Sequence, residues 1–254
     1  RPVDLALVGD AKATLRALLK AVKKQTKPRK ETPQLKEARQ AQETWLEGWK
    51  EGAYSNKAPI HPLRLMREVR EFFPRQAICA VDGGNTTVWA FYQNRIYEPR
   101  SFVSAHGDSG HLGTGLPYAI GAKLARPDVP VYCITGDGSF GFNAMEMETA
   151  AREKLPIVVI IANDRAWGMI KGSHKLVYQE RYCGVDFSDA RYDKLAEALG
   201  CYGERVTKPS QIRPALKRAV ESGLPSVLDV IVDAEVHMVP PDLVLIDSVW
   251  MEGC

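Results

Sequence analysis

Val131-Tyr132-Cys133-Ile134-Thr135-Gly136-Asp137-Gly138-Ser139-Phe140-Gly141 is an apolar run that breaks into a glycine-rich loop. An amphipathic stretch follows, and then a second apolar run ends in Ile160-Ile161-Ala162-Asn163-Asp164-Arg165-Ala166-Trp167-Gly168. Residues 136–141 spell G-x-G-x-x-G after a strand pattern and before a helical one. Asp164 lies 23 positions past the last glycine, close to the full dinucleotide fingerprint. Charge argues against that reading. A dinucleotide loop brings bare N–H groups to a pyrophosphate, and Asp137 between the first two glycines would face like charge there. A hard cation such as Mg2+ reverses the sign, because it gathers carboxylate, carbonyl and phosphate oxygens at one point. Asp164, 27 residues after Asp137, would supply a second oxygen from the neighbouring strand end, and the carbonyl of Ala166 a third.

G-D-G followed about 27 residues later by an N-N or N-D pair resembles the signature of thiamine-diphosphate enzymes. The likeness is to the cofactor-diphosphate domain of the acetolactate synthase-like and 2-hydroxyacyl-CoA lyase-like group, over roughly residues 58–235. The resemblance implies thiamine diphosphate and Mg2+ as cofactors, with Asp137, Asp164 and the Ala166 carbonyl as metal ligands. The second residue of the pair is usually Asn in that group and is Asp here, which leaves Asn163 as the alternative ligand. Gly136, Gly138, Ser139, Trp167, Gly168 and Met169 would line the cofactor. In Asp82-Gly83-Gly84-Asn85-Thr86-Thr87, Asn85 and Thr86 would meet the terminal phosphate, although a helix cap explains them equally well. In the loop from Ser109 to Pro117, Leu112 would wedge the cofactor into a V shape and the Gly110 carbonyl would accept from its aminopyrimidine; alternatively Leu112 is ordinary core. No catalytic residue is assigned with certainty. His106 and His111 flank this loop as candidates for proton transfer or substrate contact, or as loop hydrogen-bonders.

The rest of the chain sets the frame. Its 254 residues, 45% hydrophobic and 26% charged, can bury a full core. A net charge of +3 is too mild to argue for nucleic acid, and no apolar run reaches the roughly 18–20 residues of a membrane span. The five cysteines show no C-x-x-C spacing and no signal peptide opens the chain, so a reduced, cytoplasmic protein is expected. Strand candidates at 77–81, 102–104, 131–135, 157–162 and 227–232 alternate with helices at 62–73, 115–126, 143–153, 189–199 and 209–222. Near-continuous apolar strands separated by helices predict an α/β fold, a parallel sheet with helices on both faces. Helix 115–126 offers the small residues Ala119, Gly121, Ala122 and Ala125 for packing on that sheet.

Four segments are expected. Residues 1–25 form a βα piece, strand Val3–Val8 then a helix from Ala11, resembling the end of the group's middle domain. Residues 26–58 are a linker with a helix from Gln34 to about Lys50. Residues 59–236 are the cofactor-diphosphate domain. Residues 237–254 are an apolar tail expected to dock as a lid or against a partner.

The resemblance implies C–C bond lyase or carboligase chemistry on a 2-oxo acid or a 2-hydroxyacyl substrate, CoA thioesters included. It also implies a glutamate on a separate pyrimidine-binding domain, for which the part before residue 59 is too short. The chain is therefore expected to be a subunit or a fragment, as its opening on Arg1 also suggests. It would work with a pyrimidine-domain chain in a hetero-oligomer built around a core dimer, on a small-molecule substrate. Two other readings stay open: an NAD-dependent oxidoreductase, and a non-catalytic cofactor-binding or regulatory subunit.

Overall fold

A computed structural model describes residues 3–27, 31–105 and 110–236. The chain divides into two units, Arg1–Gly48 and Trp49–Cys254. The first holds helices α1 (Ala11–Gln25) and α2 (Pro33–Gly48), neither with a buried residue. Asp10 caps α1, its carboxylate accepting from the Ala13 N–H at 2.8 Å. Val3–Val8, expected as a strand, has no strand pairing, and Leu5 and Val8 are 77% and 97% exposed. The apolar run marks strand propensity, but a strand needs a neighbour for its N–H and C=O groups. Among the described residues of this unit there is none.

The second unit opens with α3 (Lys50–Ala53) and α4 (Pro62–Phe72). His61 caps α4 with Pro62 at its first position, where a missing N–H costs nothing. Leu63, Met66, Val69 and Phe73 bury the stripe read from the sequence. The alternation continues through β1 (Ile78–Val81), α5 (Asn85–Gln93), β2 (Phe102–Val103), α6 (Gly115–Ala125), β3 (Val131–Gly136), α7 (Asp137–Asn143) and α8 (Glu146–Arg152). It ends with β4 (Ile157–Asn163), α9 (Gly168–Val177), α10 (Tyr192–Ala198), β5 (Tyr202–Val206), α11 (Ile212–Glu221) and β6 (Ser226–Ile231).

All strand pairings are parallel, in the order β2-β1-β3-β4-β6-β5. One core cluster packs α4, α5 and α11 on one face of the sheet, and a second packs α6, α8 and α10 on the other. Every residue of β4 is buried, as expected of a strand covered on both sides. The order reverses between β1 and β3, which opens a crevice beyond their carboxyl ends.

Several elements depart from the sequence reading. The expected helix 143–153 begins earlier, because Gly136 caps a turn that already runs from Asp137, and it divides into α7 and α8. On α6 the buried face is Gly115, Leu116, Ala119, Ile120 and Lys123, while Gly121 is exposed. The small-residue stripe is therefore only partly the packing face. Buried Lys123 is tolerated because its ammonium donates to the carbonyls of Pro127 and Val129 at 2.9 and 3.0 Å. β5 escaped the apolar-run criterion because it is an edge strand of mixed polarity, Tyr202-Gly203-Glu204-Arg205-Val206. α5 is rich in β-branched and aromatic residues of low helix propensity, and burial of Trp89 and Ala90 holds it. No helix among the described residues is long and apolar enough to cross a membrane. The tail 237–254 lies outside the described residues.

Candidate functional site

Three loops meet beyond the carboxyl ends of β1, β3 and β4. The β1 and β3 loops touch at glycines. A side chain on Gly83, at φ +111°, would sit 3.3 Å from the Gly136 nitrogen and 3.4 Å from the Ser139 hydroxyl. Gly136 in turn lies against Thr86, whose hydroxyl would be 3.2 Å from an added Cβ. Gly84 lies under Met169, and Gly138 under the ring of Trp167, where a Cβ would come within 2.5–3.1 Å of three ring carbons. These glycines mark places where loop backbones pack closely, and Ser139, Thr86, Trp167 and Met169 are drawn together there.

The β4 loop completes the arrangement. Gly168 leaves room for Asp164, since a Cβ there would collide with the Asp164 carboxylate and lie 3.2 Å from the Asn85 amide nitrogen. Asn85 is the first residue of α5; Gly84 occupies the cap position and no side chain caps the helix. The capping explanation for Asn85 and Thr86 therefore does not hold.

Asp137 and Asp164 face each other. Asp137 is 2% exposed, and its Oδ1 accepts from the Gly138 N–H at 2.8 Å while Oδ2 is buried without a partner. Burial first, then the Asp164 charge, raises its pKa from the ordinary carboxylate range to about 8. Asp164 is raised as well, chiefly by burial. Lys171 acts on Asp164 from a distance, but its ammonium is paired with Asp186 at 2.7 Å.

A backbone bridge lies beside the pair. Residues 165–167 form an antiparallel bridge with 185–187: the Trp167 N–H donates to Val185 at 2.8 Å and the Phe187 N–H to Arg165 at 2.7 Å. In such a pair the central residues, Ala166 and Asp186, turn their own N–H and C=O groups away from each other. The Ala166 N–H accordingly reaches Asp164 Oδ1 at 3.2 Å; since the N–H and C=O of one residue in such a pair share an edge, the Ala166 carbonyl is the candidate third oxygen. Among the described residues no three His, Cys, Asp or Glu side chains converge, so a cation here needs that carbonyl or a ligand's own oxygens. Two acids without a neutralising base, one of them with an orphaned oxygen, and a neighbouring backbone carbonyl make an all-oxygen donor set, which fits Mg2+. Asn163 is turned elsewhere, its amide donating to Asp229 at 2.7 Å.

A cavity of about 570 Å³ opens beside Asp137, lined also by Gly138, Phe142, Trp167, Phe187 and Tyr192 among others. The 185–192 wall was not foreseen from sequence; its pairing with the β4 loop leaves no local motif. The loop 110–114 is anchored differently. The Gly115 N–H donates to buried Asp82 at 2.9 Å and the Asn143 amide to the Gly113 carbonyl at 2.6 Å. Within it Gly110 has φ +66° and is exposed, as is His111, while Leu112 is half-buried. The described contacts do not bring Gly110, His111 or Leu112 against the acid pair. His106 lies outside the described residues.

Comparison with known proteins agrees with this geometry. The family model described as "Thiamine pyrophosphate enzyme, C-terminal TPP binding domain" matches residues 82–230. A probable acetolactate synthase large subunit of Methanococcus aeolicus is 33% identical over 258 residues, covering 94% of this chain and 42% of that protein. The acetolactate synthase of Bacillus subtilis is 35% identical over 233 residues, covering 91% of this chain and 40% of its own length. Among solved structures, the thiamine diphosphate-dependent 4-hydroxybenzoylformate decarboxylase of Rhodococcus jostii RHA1 superposes with a TM-score of 0.66. It is 31% identical and covers 70% of this chain and 34% of that one. The chain spans about two fifths of the length of the relatives it matches. With most of its sheet and all three loops inside the matched region, the chain belongs to the thiamine pyrophosphate enzyme family, and residues 82–230 are its C-terminal cofactor-binding domain.

Proposed function

We propose that this chain is the cofactor-diphosphate part of a thiamine-diphosphate- and Mg2+-dependent C–C lyase or carboligase of the acetolactate synthase type. Its substrate would be a 2-oxo acid or a 2-hydroxyacyl compound. The observation that carries this reading is the pair Asp137–Asp164 at the ends of β3 and β4, both raised by burial, with Asp137 Oδ2 buried and unpartnered among protein groups. The same pair speaks against a dinucleotide, whose pyrophosphate would meet two acids rather than bare N–H groups.

Asp137, Asp164 and the Ala166 carbonyl would hold Mg2+. Asn85, Thr86, Ser139 and the backbone of Gly136, Gly138 and Gly168 would surround the diphosphate, with Trp167 and Met169 closing over it. Gly110 and Leu112 would meet the pyrimidine end. When bound, thiamine diphosphate supplies an electron sink for the carbon beside a carbonyl. The chain's own part is to fix the diphosphate end, so that the reactive ring is presented in one orientation.

Both acids placed at the site are committed to the cation, so the proton-shuttling glutamate would come from a pyrimidine-domain chain. The working form would be a hetero-oligomer around a core dimer, in the reducing cytoplasmic setting that the cysteine usage supports. The divisions proposed for the chain remain those at 25, 58 and 236.

The test is 2-oxo acid turnover by the isolated chain saturated with thiamine diphosphate and Mg2+, before and after adding a pyrimidine-domain chain. No turnover alone and turnover after addition is the expected result. Full turnover alone would mean that the shuttling acid lies within this chain, and none after addition would favour the non-catalytic subunit.

A further inference from the structure

Asp229 sits in the middle of β6 at 0% exposure, in the apolar run Val227-Leu228-Asp229-Val230-Ile231. A carboxylate so placed is costly unless it is bonded to a purpose. Its register partner on β4 is Ile161, so Asn163, two residues along β4, projects from the same face of the sheet. The Asn163 side chain, itself 1% exposed, donates through Nδ2 to Asp229 Oδ1 at 2.7 Å. Its Oδ1 accepts from the Arg165 N–H at 3.1 Å. Both ends agree on the amide's orientation: a carboxylate only accepts and a backbone N–H only donates.

That second bond closes a turn over Asp164. Arg165 has φ +58°, a left-handed conformation that a non-glycine residue holds only when its surroundings enforce it. On either side of this turn stand the Asp164 carboxylate and the Ala166 carbonyl. If the Asn163 amide flipped, its NH2 would face the Arg165 N–H and the turn would open.

An ion pair with Arg205 offsets part of the cost of burying Asp229 on the Oδ2 side and leaves Oδ1 to Asn163. Arg205 Nε approaches Asp229 Oδ2 at 3.1 Å, but the two atoms lack hydrogen-bond geometry. The guanidinium already bonds Asp189 at 2.7 Å and the Ala190 carbonyl at 3.1 Å.

We propose that Asp229 and Asn163 are positioning residues of the cation site: the buried carboxylate fixes the amide, and the amide fixes the turn that aims Asp164 and Ala166. The proposal rests on the reading that Asp137, Asp164 and the Ala166 carbonyl hold a divalent cation.

The test is Mn2+ affinity by electron paramagnetic resonance, with thiamine diphosphate present, for the full 254-residue chain. Wild type, Asp229→Val, Asn163→Ala and the double variant are compared, with thermal unfolding of each without metal. Asp229→Val keeps the side chain's shape on the strand and removes the acceptor. Each single variant should weaken Mn2+ binding about 10–100-fold, the usual effect of removing an outer support of a metal ligand. The double variant should be no weaker than the worse single one, because both act through one bond.

A purely structural Asp229 would lower the unfolding temperature of Asp229→Val and leave Mn2+ affinity within twofold of wild type, which overturns the proposal. So would losses that add in the double variant. If Asp229→Val does not fold, wild-type affinity in Asn163→Ala overturns it alone. Failure of the wild type itself to bind Mn2+ would instead remove the underlying reading of the site.

Discussion

Asp137→Asn should stabilise the metal-free chain while abolishing its response to cation. Asp137 is buried and Asp164 half-buried beside it; desolvation raises the proton affinity of both, and the Asp164 charge raises that of Asp137 further. Such acids keep protons in the fold at a pH where the unfolded chain has released them. The folded state therefore binds more protons above about pH 4, and this pair's contribution to stability falls as pH rises. Two unit charges about 4 Å apart repel by about 4 kcal/mol at an effective dielectric constant of 20. If sharing a proton relieves half of that, about 2 kcal/mol remains for Asn to remove at pH 8. For a chain of this size that is an unfolding temperature raised by about 4–8 °C. Asn also keeps an acceptor for the Gly138 N–H and offers Asp164 a donor. The assay is thermal unfolding in a chelator at pH 8 and pH 5, repeated with Mg2+ and thiamine diphosphate. The variant's advantage should shrink toward zero at pH 5, where the pair is already protonated, and added cation should stabilise only the wild type. A variant less stable than wild type at pH 8 without metal would refute the reasoning.

Gly168→Ala places a methyl where the Asp164 carboxylate now sits; Mg2+-dependent cofactor affinity measured by calorimetry should fall more than tenfold, and unchanged affinity would count against that packing. Gly138→Ala pushes on the Trp167 ring, so near-ultraviolet circular dichroism should change together with weakened cofactor binding; a spectrum identical to wild type would mean that the ring does not lie over this glycine.

Legibility differed by element for physical reasons. β1, β3, β4 and β6 are buried on both faces, so their sequences are plain apolar runs, whereas β5 at the edge shows polar residues to water and reads as a loop. The acids Asp137 and Asp164 were visible because each ends such a run, and the fold brings strand ends together. Asp229, inside the strand expected at 227–232, was not singled out, because its partner Asn163 lies 66 residues away and emerges only from the register of β4 against β6. The 185–187 bridge to the β4 loop is a backbone pairing with no side-chain signature. Val3–Val8 failed for the opposite reason, a strand-like sequence with no edge to join among the described residues of its unit.

The most direct test of the account is calorimetric titration of the wild-type chain with thiamine diphosphate, once with Mg2+ and once with a chelator, alongside a titration with NAD. The acid pair predicts saturable binding of thiamine diphosphate that requires Mg2+ and is absent in the chelator, with no binding of NAD. Binding of thiamine diphosphate that is indifferent to the cation, or binding of NAD, would contradict it.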